Sequence, residues 1–123
     1  MFGFHPVNLL FRLVLELAAF VALAIGGYAI GSGVWGWVLA VGLPIVGMAV
    51  WGTFNVPGDR SRSGEAPVPV PGAVRLLVEF SVFGAAIVVV SSANVTYAAV
   101  LLAGVVVHYA LSIDRVRWLL SKR

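Results

Sequence analysis

Two pairs of ionisable residues lie inside apolar stretches of the sequence, where charge is costly and usually finds a partner or water. Arg12 and Glu16 form one pair, and Arg75 and Glu79 form the other. Residues four apart lie on one face of an α-helix, one turn from each other. A buried carboxylate of this kind can bind a cation or carry a proton, although a neighbouring arginine holds it ionised. The pattern therefore indicates either a site for a small solute or ion, or a cluster that only fixes how the helices pack.

The two pairs belong to an internal repeat. Residues 12–20 read RLVLELAAF and residues 75–83 read RLLVEFSVF, at an offset of 63. Small residues recur on a second face of both segments, and such residues let membrane helices approach closely. The positions predicted for this helix packing are Ala18, Ala22, Gly26, Ser81 and Ala85.

The composition is that of a membrane protein. Of 123 residues, 61% are hydrophobic and 11% are charged, and the mean hydropathy is +1.04. A soluble domain carries about 25% charged residues. There is no cysteine, which excludes disulfides and thiolate chemistry. The net charge of +3 is attributed to loops that face anionic lipid, and no nucleic-acid partner is predicted.

Four apolar segments predict four helices in a single transmembrane domain spanning residues 1–123. The predicted helices are residues 8–30, 34–51, 72–90 and 95–113. A span requires about 20 helical residues. Residues 52–71 form a polar linker, whose alternating prolines favour an extended spacer. The basic tail, residues 114–123, either prolongs the fourth helix or lies along the surface.

The charge distribution predicts the orientation. Charged residues fall in the first turns of the odd helices, in the linker and in the tail, whereas the turns near Gly31 and Ser91 carry none. By the positive-inside rule, both termini and the linker are cytoplasmic. Seven of the eight basic residues are Arg, and Ala, Val and Gly are abundant, which suggests a GC-rich bacterial genome and hence a bacterial inner (plasma) membrane. We therefore predict an all-α, four-helix transmembrane bundle that is multi-pass, N-in and C-in. It consists of two helical hairpins in a parallel repeat.

The predicted depths of the ionisable residues define one polar layer. With a rise of about 1.5 Å per residue, His108 on the descending fourth helix reaches nearly the level of the two glutamates. The layer comprises Arg12, Glu16, Arg75, Glu79 and His108. The pairs can form within a helix or cross between helices, and a shared cluster satisfies more donors and acceptors. The single other histidine, His5, lies in the N-terminal lead, so no metal or cofactor is predicted.

Two functions remain open from the residues. The leading hypothesis is a small membrane protein that binds or moves a small solute or ion through the polar layer. The alternative is a structural or accessory subunit of a larger membrane complex. No nucleophile-and-base arrangement or phosphate-binding loop is present, so no enzyme is predicted. The lipid bilayer is one partner. A homodimer or a larger complex is left open, and Gly27-Tyr-Ala-Ile-Gly31 is a weak dimerisation signal.

Several short motifs resemble a known family. They are Asn8, Arg12 and Glu16 in the first helix, residues 51–57 (WGTFNVP) after the second, and Pro71-Gly72 with Arg75 and Glu79 in the third. Together they are similar to the YrdB-like family of small bacterial four-helix membrane proteins, a domain of unknown function. The resemblance implies a single four-helix membrane domain and no biochemistry. It draws attention to a helix-exit motif, which comprises Trp51, Gly52, Phe54 and Pro57.

Overall fold

The structure, a computed structural model, describes residues 2–61 and 64–123. Within these residues, all of the long secondary-structure elements are α-helices. A short 3-10 turn, Phe2–Phe4, precedes five α-helices. The helices are α1 (Pro6–Ile30), α2 (Val34–Thr53), α3 (Gly72–Ser91), α4 (Val95–Leu111) and α5 (Ile113–Leu120). The predicted all-α class is therefore confirmed.

Local sequence explains where two of the helices begin. Pro6 occupies the first turn of α1, where its missing N–H is not needed, and the His5 side chain accepts a hydrogen bond from the Val7 N–H at 3.1 Å. Asn94 precedes α4, and its side chain accepts a hydrogen bond from the Tyr97 N–H at 2.9 Å. Both caps satisfy N–H groups that a helix start leaves without an internal partner.

The helices α1, α2 and α3 are each long and apolar enough to cross a membrane. The pair α4 and α5 adds a fourth crossing if it is counted as one broken span, because the two helices are bent by 70°. The number of candidate spans among the described residues is therefore three or four.

The core lies where α1 crosses α3, and α1 also packs against α2 and α4. Ala22 of α1 and Ala86 of α3 are completely buried there. On its other side, α1 uses both glycines of the Gly27-to-Gly31 motif within the chain. A Cβ on Gly27 would lie 2.8 Å from the Leu39 backbone, and one on Gly31 would lie 2.5 Å from the Gly36 nitrogen. The motif thus serves the close approach of α1 and α2.

The linker folds back against the end of the bundle. Phe54–Asn55 (β1) pairs in parallel with Val68–Pro69 (β2), and the Val70 N–H donates to the Asn55 carbonyl at 3.0 Å. Asp59 lies in the intervening loop and is only 1% exposed. The predicted spacer therefore contributes a buried acid to the protein interior.

The tail does not prolong the fourth helix. After the bend at Ser112, α5 packs against the beginning of α3, and Leu119 is completely buried. The Gly72 N–H donates to the Lys122 carbonyl at 2.9 Å. A Cβ on Gly72 would lie 1.6 Å from the Leu119 carbonyl oxygen, so this contact requires glycine. The lead joins the same end, because the Gly3 N–H donates to Asp114 Oδ1 at 2.9 Å.

Candidate functional site

The carboxylate of Glu79, on α3, lies at the centre of a buried group of charges and is 0% exposed. Its Oε1 accepts hydrogen bonds from the Tyr109 hydroxyl at 2.5 Å and from Arg115 Nη1 at 3.0 Å. Its Oε2 accepts from Arg12 Nη2, Arg75 Nε and Arg115 Nη2, each at 2.8 Å. Two carboxylate oxygens offer about four lone-pair sites, so the protein's own donors fill the acceptor capacity of Glu79.

Arg115 connects this carboxylate to the linker. Besides its two bonds to Glu79, its Nη2 donates to Asp59 Oδ2 at 2.7 Å. Asp59 Oδ1 also accepts from the Ser61 N–H at 3.0 Å and from the Ser61 hydroxyl at 2.8 Å. Burial by itself raises the pKa of Asp59, but the hydrogen bond and charge of Arg115, together with Ser61, lower that pKa below its ordinary value. Asp59 is therefore held as an anion.

Arg12 makes both kinds of pairing that the sequence left open. Its Nη2 bonds across to Glu79 on α3, and its Nε lies 3.4 Å from Glu16 Oε1 on its own helix. A third bond runs from Nη1 to the Ser61 hydroxyl at 3.1 Å. The Glu16 side chain is 15% exposed. Glu16 therefore lies at the edge of the group, whereas Glu79 lies at its centre.

We call the six ionised residues the charge cluster. They are Arg12, Glu16, Asp59, Arg75, Glu79 and Arg115. Three arginines and three carboxylates give the charge cluster a formal charge of zero. Because buried charges are stable only when paired and hydrogen-bonded, this balance explains how so many ionised groups are accommodated between apolar helices.

Part of the helix-exit motif contacts the charge cluster. Arg75 Nη1 donates to the carbonyls of Trp51, at 2.5 Å, and Phe54, at 2.9 Å. The guanidinium carbons of Arg75 and Arg12 lie 4.7 and 5.3 Å from the centre of the Trp51 ring, within the range of cation–π attraction. Pro57 is exposed. The Gly52 carbonyl accepts from the Asn55 side chain at 2.7 Å, which shapes the turn out of α2.

His108, predicted for the polar layer, bonds to residues outside the charge cluster. Its Nδ1 lies 3.1 Å from Asn8 Oδ1, and Asn8 Nδ2 donates to the Ser112 hydroxyl at 2.7 Å. Because the Asn8 oxygen can only accept, Nδ1 donates the proton in this hydrogen bond. The ring is 1% exposed, and Nε2 has no hydrogen-bond partner among the described residues. His108, Asn8 and Ser112 form a second polar group between α1 and the end of α4.

Of the small residues predicted for helix packing, some are buried in the core and the others line two grooves on the surface of the bundle. Ala22 and Gly26 are buried in the core. Ala18 lines a groove of about 600 Å³ between α1 and α4. Ser81 and Ala85 are exposed and line a smaller groove of about 240 Å³ between α2 and α3. Within residues 2–61 and 64–123, no group of three or more acidic or histidine side chains could hold a metal ion.

The sequence prediction missed Asp59 and Arg115 as site residues. Asp59 was attributed to a spacer, and Arg115 to a tail that either prolongs the fourth helix or lies along the surface, because nothing in a linear pattern shows that the linker and the tail meet at the end of the bundle. One signal was available for Arg115. It lies four residues before Leu119 and therefore on the same helical face, which is the buried face of α5.

The comparisons with known proteins cover most of the chain. The model of the family described as "Protein of unknown function (DUF2568)" matches residues 10–107. The chain is 36% identical over 119 residues to "Uncharacterized protein YrdB" of Bacillus subtilis (strain 168), with 96% of this chain and 97% of that protein aligned. No solved structure matches the chain.

Proposed function

This chain belongs to the DUF2568 family of proteins of unknown function. Because the family's description assigns no activity, we propose a function on the basis of the charge cluster. The protein is an integral membrane protein with a structural or accessory role, and the cluster holds its linker and tail in place. The observation that carries this proposal is that Glu79 is fully buried and that both of its carboxylate oxygens accept hydrogen bonds from protein donors. Such a carboxylate has no free lone pair for a solute or a proton in transit.

The connectivity of the cluster supports a structural role. Glu79 joins side chains from α1, α3, α4 and α5, and through Arg115 it reaches the linker. A buried ionic group contributes geometric specificity when every member is satisfied. The cluster therefore fixes one arrangement of the helix ends. An accessory subunit needs such a fixed arrangement in order to present the same surface to its partner.

The topology we propose is a four-helix transmembrane bundle built from two repeated hairpins. The two lateral grooves support the repeat. Ala18 of α1 lines one groove, and Ser81 of α3, 63 positions later, lines the other. The end of the bundle that carries the charge cluster is cytoplasmic by the positive-inside rule. Both termini are therefore inside, and the location is the bacterial cell membrane. The proposal includes no catalytic step and no nucleic-acid partner.

A second candidate function is the binding or movement of a small solute or ion. Two observations favour it. The Glu16 side chain keeps 15% of its surface accessible beside Arg12, and His108 Nε2 is a buried nitrogen without a partner among the described residues. On this hypothesis Glu16 is the site of contact and Glu79 supports it.

The two candidates are separated by comparing Glu79→Gln with Glu16→Gln in a mild detergent. The structural role predicts that Glu79→Gln lowers the thermal unfolding temperature and broadens the size-exclusion peak, whereas Glu16→Gln leaves both nearly unchanged. The solute hypothesis is tested in proteoliposomes with a pH-sensitive dye. A proton flux carried by the native protein and abolished by Glu16→Gln, with the fold intact, would overturn the structural proposal.

The accessory role has its own test, which is native mass spectrometry after mild solubilisation from the native membrane. We expect a second protein at fixed stoichiometry. A homogeneous species containing this chain alone, as monomer or homodimer, would count against an accessory subunit.

A further inference from the structure

Four side chains form a continuous row of rings and cations at the end of the bundle. The Arg60 guanidinium lies 4.4 Å from the centre of the Phe4 ring. The Phe4 ring meets the Trp118 ring edge-on, with centres 6.1 Å apart, and Lys122 Nζ lies 5.0 Å from the centre of the Trp118 ring. We call these four residues the aromatic row. It joins the linker, the N-terminal lead and α5, which are far apart in sequence.

The row lies in the part of the protein that carries its net charge. The chain has eight basic and five acidic residues, and the neutral charge cluster accounts for three of each. Five basic residues and two acidic ones remain (8 − 3 and 5 − 3), all in the linker or the tail, so the whole excess of +3 belongs to these two segments. Of the two acids, Asp114 accepts from the Gly3 N–H.

The orientation of α5 places the row at a membrane interface. The helix is bent by 70° from α4 and packs against the beginning of α3, which is a candidate span, and Trp118 on α5 is half-buried. Ile113 and Leu120 leave 51% and 55% of their surfaces exposed on the same helix. The hydrogen bond from the Gly72 N–H to the Lys122 carbonyl holds the end of α5 at the beginning of α3. Aromatic rings flanked by cations beside a span are typical of the headgroup region.

We propose that the aromatic row is a binding site for the phosphate group of acidic phospholipids. Arg60 and Lys122, both exposed and at the two ends of the row, each pair with a phosphate group, and the Phe4 and Trp118 rings lie against the glycerol and upper acyl region. Each cation near an anionic membrane surface strengthens binding by about fivefold. The inference uses the membrane location proposed above but not the structural role of Glu79.

The test is native mass spectrometry of the full-length protein in mild detergent, titrated with dioleoylphosphatidylglycerol or dioleoylphosphatidylcholine. The test variant is Arg60→Gln with Lys122→Gln. The matched control, Arg117→Gln with Arg123→Gln, removes the same charge from exposed positions outside the row. We expect the native protein to prefer phosphatidylglycerol and the test variant to bind it about 20- to 30-fold more weakly. The control should lose clearly less, because a neutral detergent micelle presents no anionic surface and Arg117 and Arg123 lie outside the row. Circular dichroism should be the same for all three proteins.

Several results would overturn the inference. Equal losses in the test variant and the control would mean that only overall charge matters. Both lipids carry the phosphate but only phosphatidylglycerol has a net negative charge, so equal affinity for the two would mean that the site does not select acidic lipids. A further arm adds inorganic phosphate to the native protein. If phosphate alone displaced phosphatidylglycerol at similar concentrations, the site would bind the free anion and the assignment to lipid would be wrong. Should the double variant fail to fold, Arg60→Gln and Lys122→Gln are each measured singly, with about a fivefold loss expected.

Discussion

Arg115 and Glu79 form a bidentate ion pair between α5 and α3, with Nη1 to Oε1 at 3.0 Å and Nη2 to Oε2 at 2.8 Å. The planar fork of a guanidinium matches the two oxygens of a carboxylate, and such pairs have both strength and fixed geometry. The same guanidinium also bonds to Asp59 in the linker. One side chain of the tail therefore connects the membrane helices to the linker.

We expect Arg115→Lys to destabilise the protein although it keeps the charge. A lysine ammonium is a point charge and cannot make both parallel bonds to Glu79 while also reaching Asp59. The loss should be about 1–3 kcal/mol in the free energy of unfolding, measured by denaturant titration in detergent micelles. Arg117→Lys, at an exposed position of the same helix, is the matched control and should change stability by less than about 0.5 kcal/mol. Equal stability of the two variants would contradict the pairing.

Gly72→Ala should disturb the docking of the tail. The added Cβ would meet the Leu119 carbonyl oxygen, which is backbone and cannot rotate away. Overpacking of this kind costs about 1–3 kcal/mol. Gly84→Ala, in the same helix, has nothing within 4 Å of its new Cβ and should be neutral or stabilising by about 0.5–1 kcal/mol. Limited proteolysis of the tail, followed with both variants, would show cleavage accelerated only in Gly72→Ala. Unchanged proteolysis would mean that the tail is not held there.

The pH dependence of stability should include a contribution from Asp59. Its pKa is lowered in the folded state from an ordinary value of 3.8, so it binds protons less readily than in the unfolded chain. Its stabilisation is therefore fully present above about pH 3.8, and it is lost as the pH falls through the folded pKa. We expect the difference in unfolding free energy between the native protein and Asp59→Asn to shrink as the pH falls below that value. A difference that stays constant from neutral to acidic pH would show that the pKa of Asp59 is the same in the folded and unfolded protein, and would contradict the lowered pKa.

Much of the architecture can be read from the sequence because the bilayer imposes strong periodic constraints. The apolar runs predict helices long enough to span, and charge at four-residue spacing predicts a shared face for Arg75 and Glu79. The structure places these two in direct contact at 2.8 Å. Arg12, from the twin segment, reaches the same carboxylate. Local pattern and composition were sufficient for these features.

The asymmetry of the cluster could not be predicted in the same way. The repeat makes Glu16 and Glu79 equivalent, but the tail folds back only once and brings Arg115 to Glu79. The burial of Asp59 likewise depends on where the linker meets α5. These are long-range contacts between the tail helix, α3 and the linker, and no periodic signal in the sequence predicts them. His108 was predicted to belong to the polar layer, but its Nδ1 bonds to Asn8, and this bond depends on how α1 and α4 are rotated.

The most direct test of the structural role is a double-mutant cycle between Glu79 and Arg115. The unfolding free energies of Glu79→Gln, Arg115→Gln and the double variant are measured against the native protein in the same detergent. Contacting residues in one buried network couple by about 0.5–3 kcal/mol, and a fully buried bidentate pair should reach about 2 kcal/mol or more. We predict that the double variant is much less destabilised than the sum of the two single variants. Additive effects, with a coupling energy of zero within error, would contradict the account.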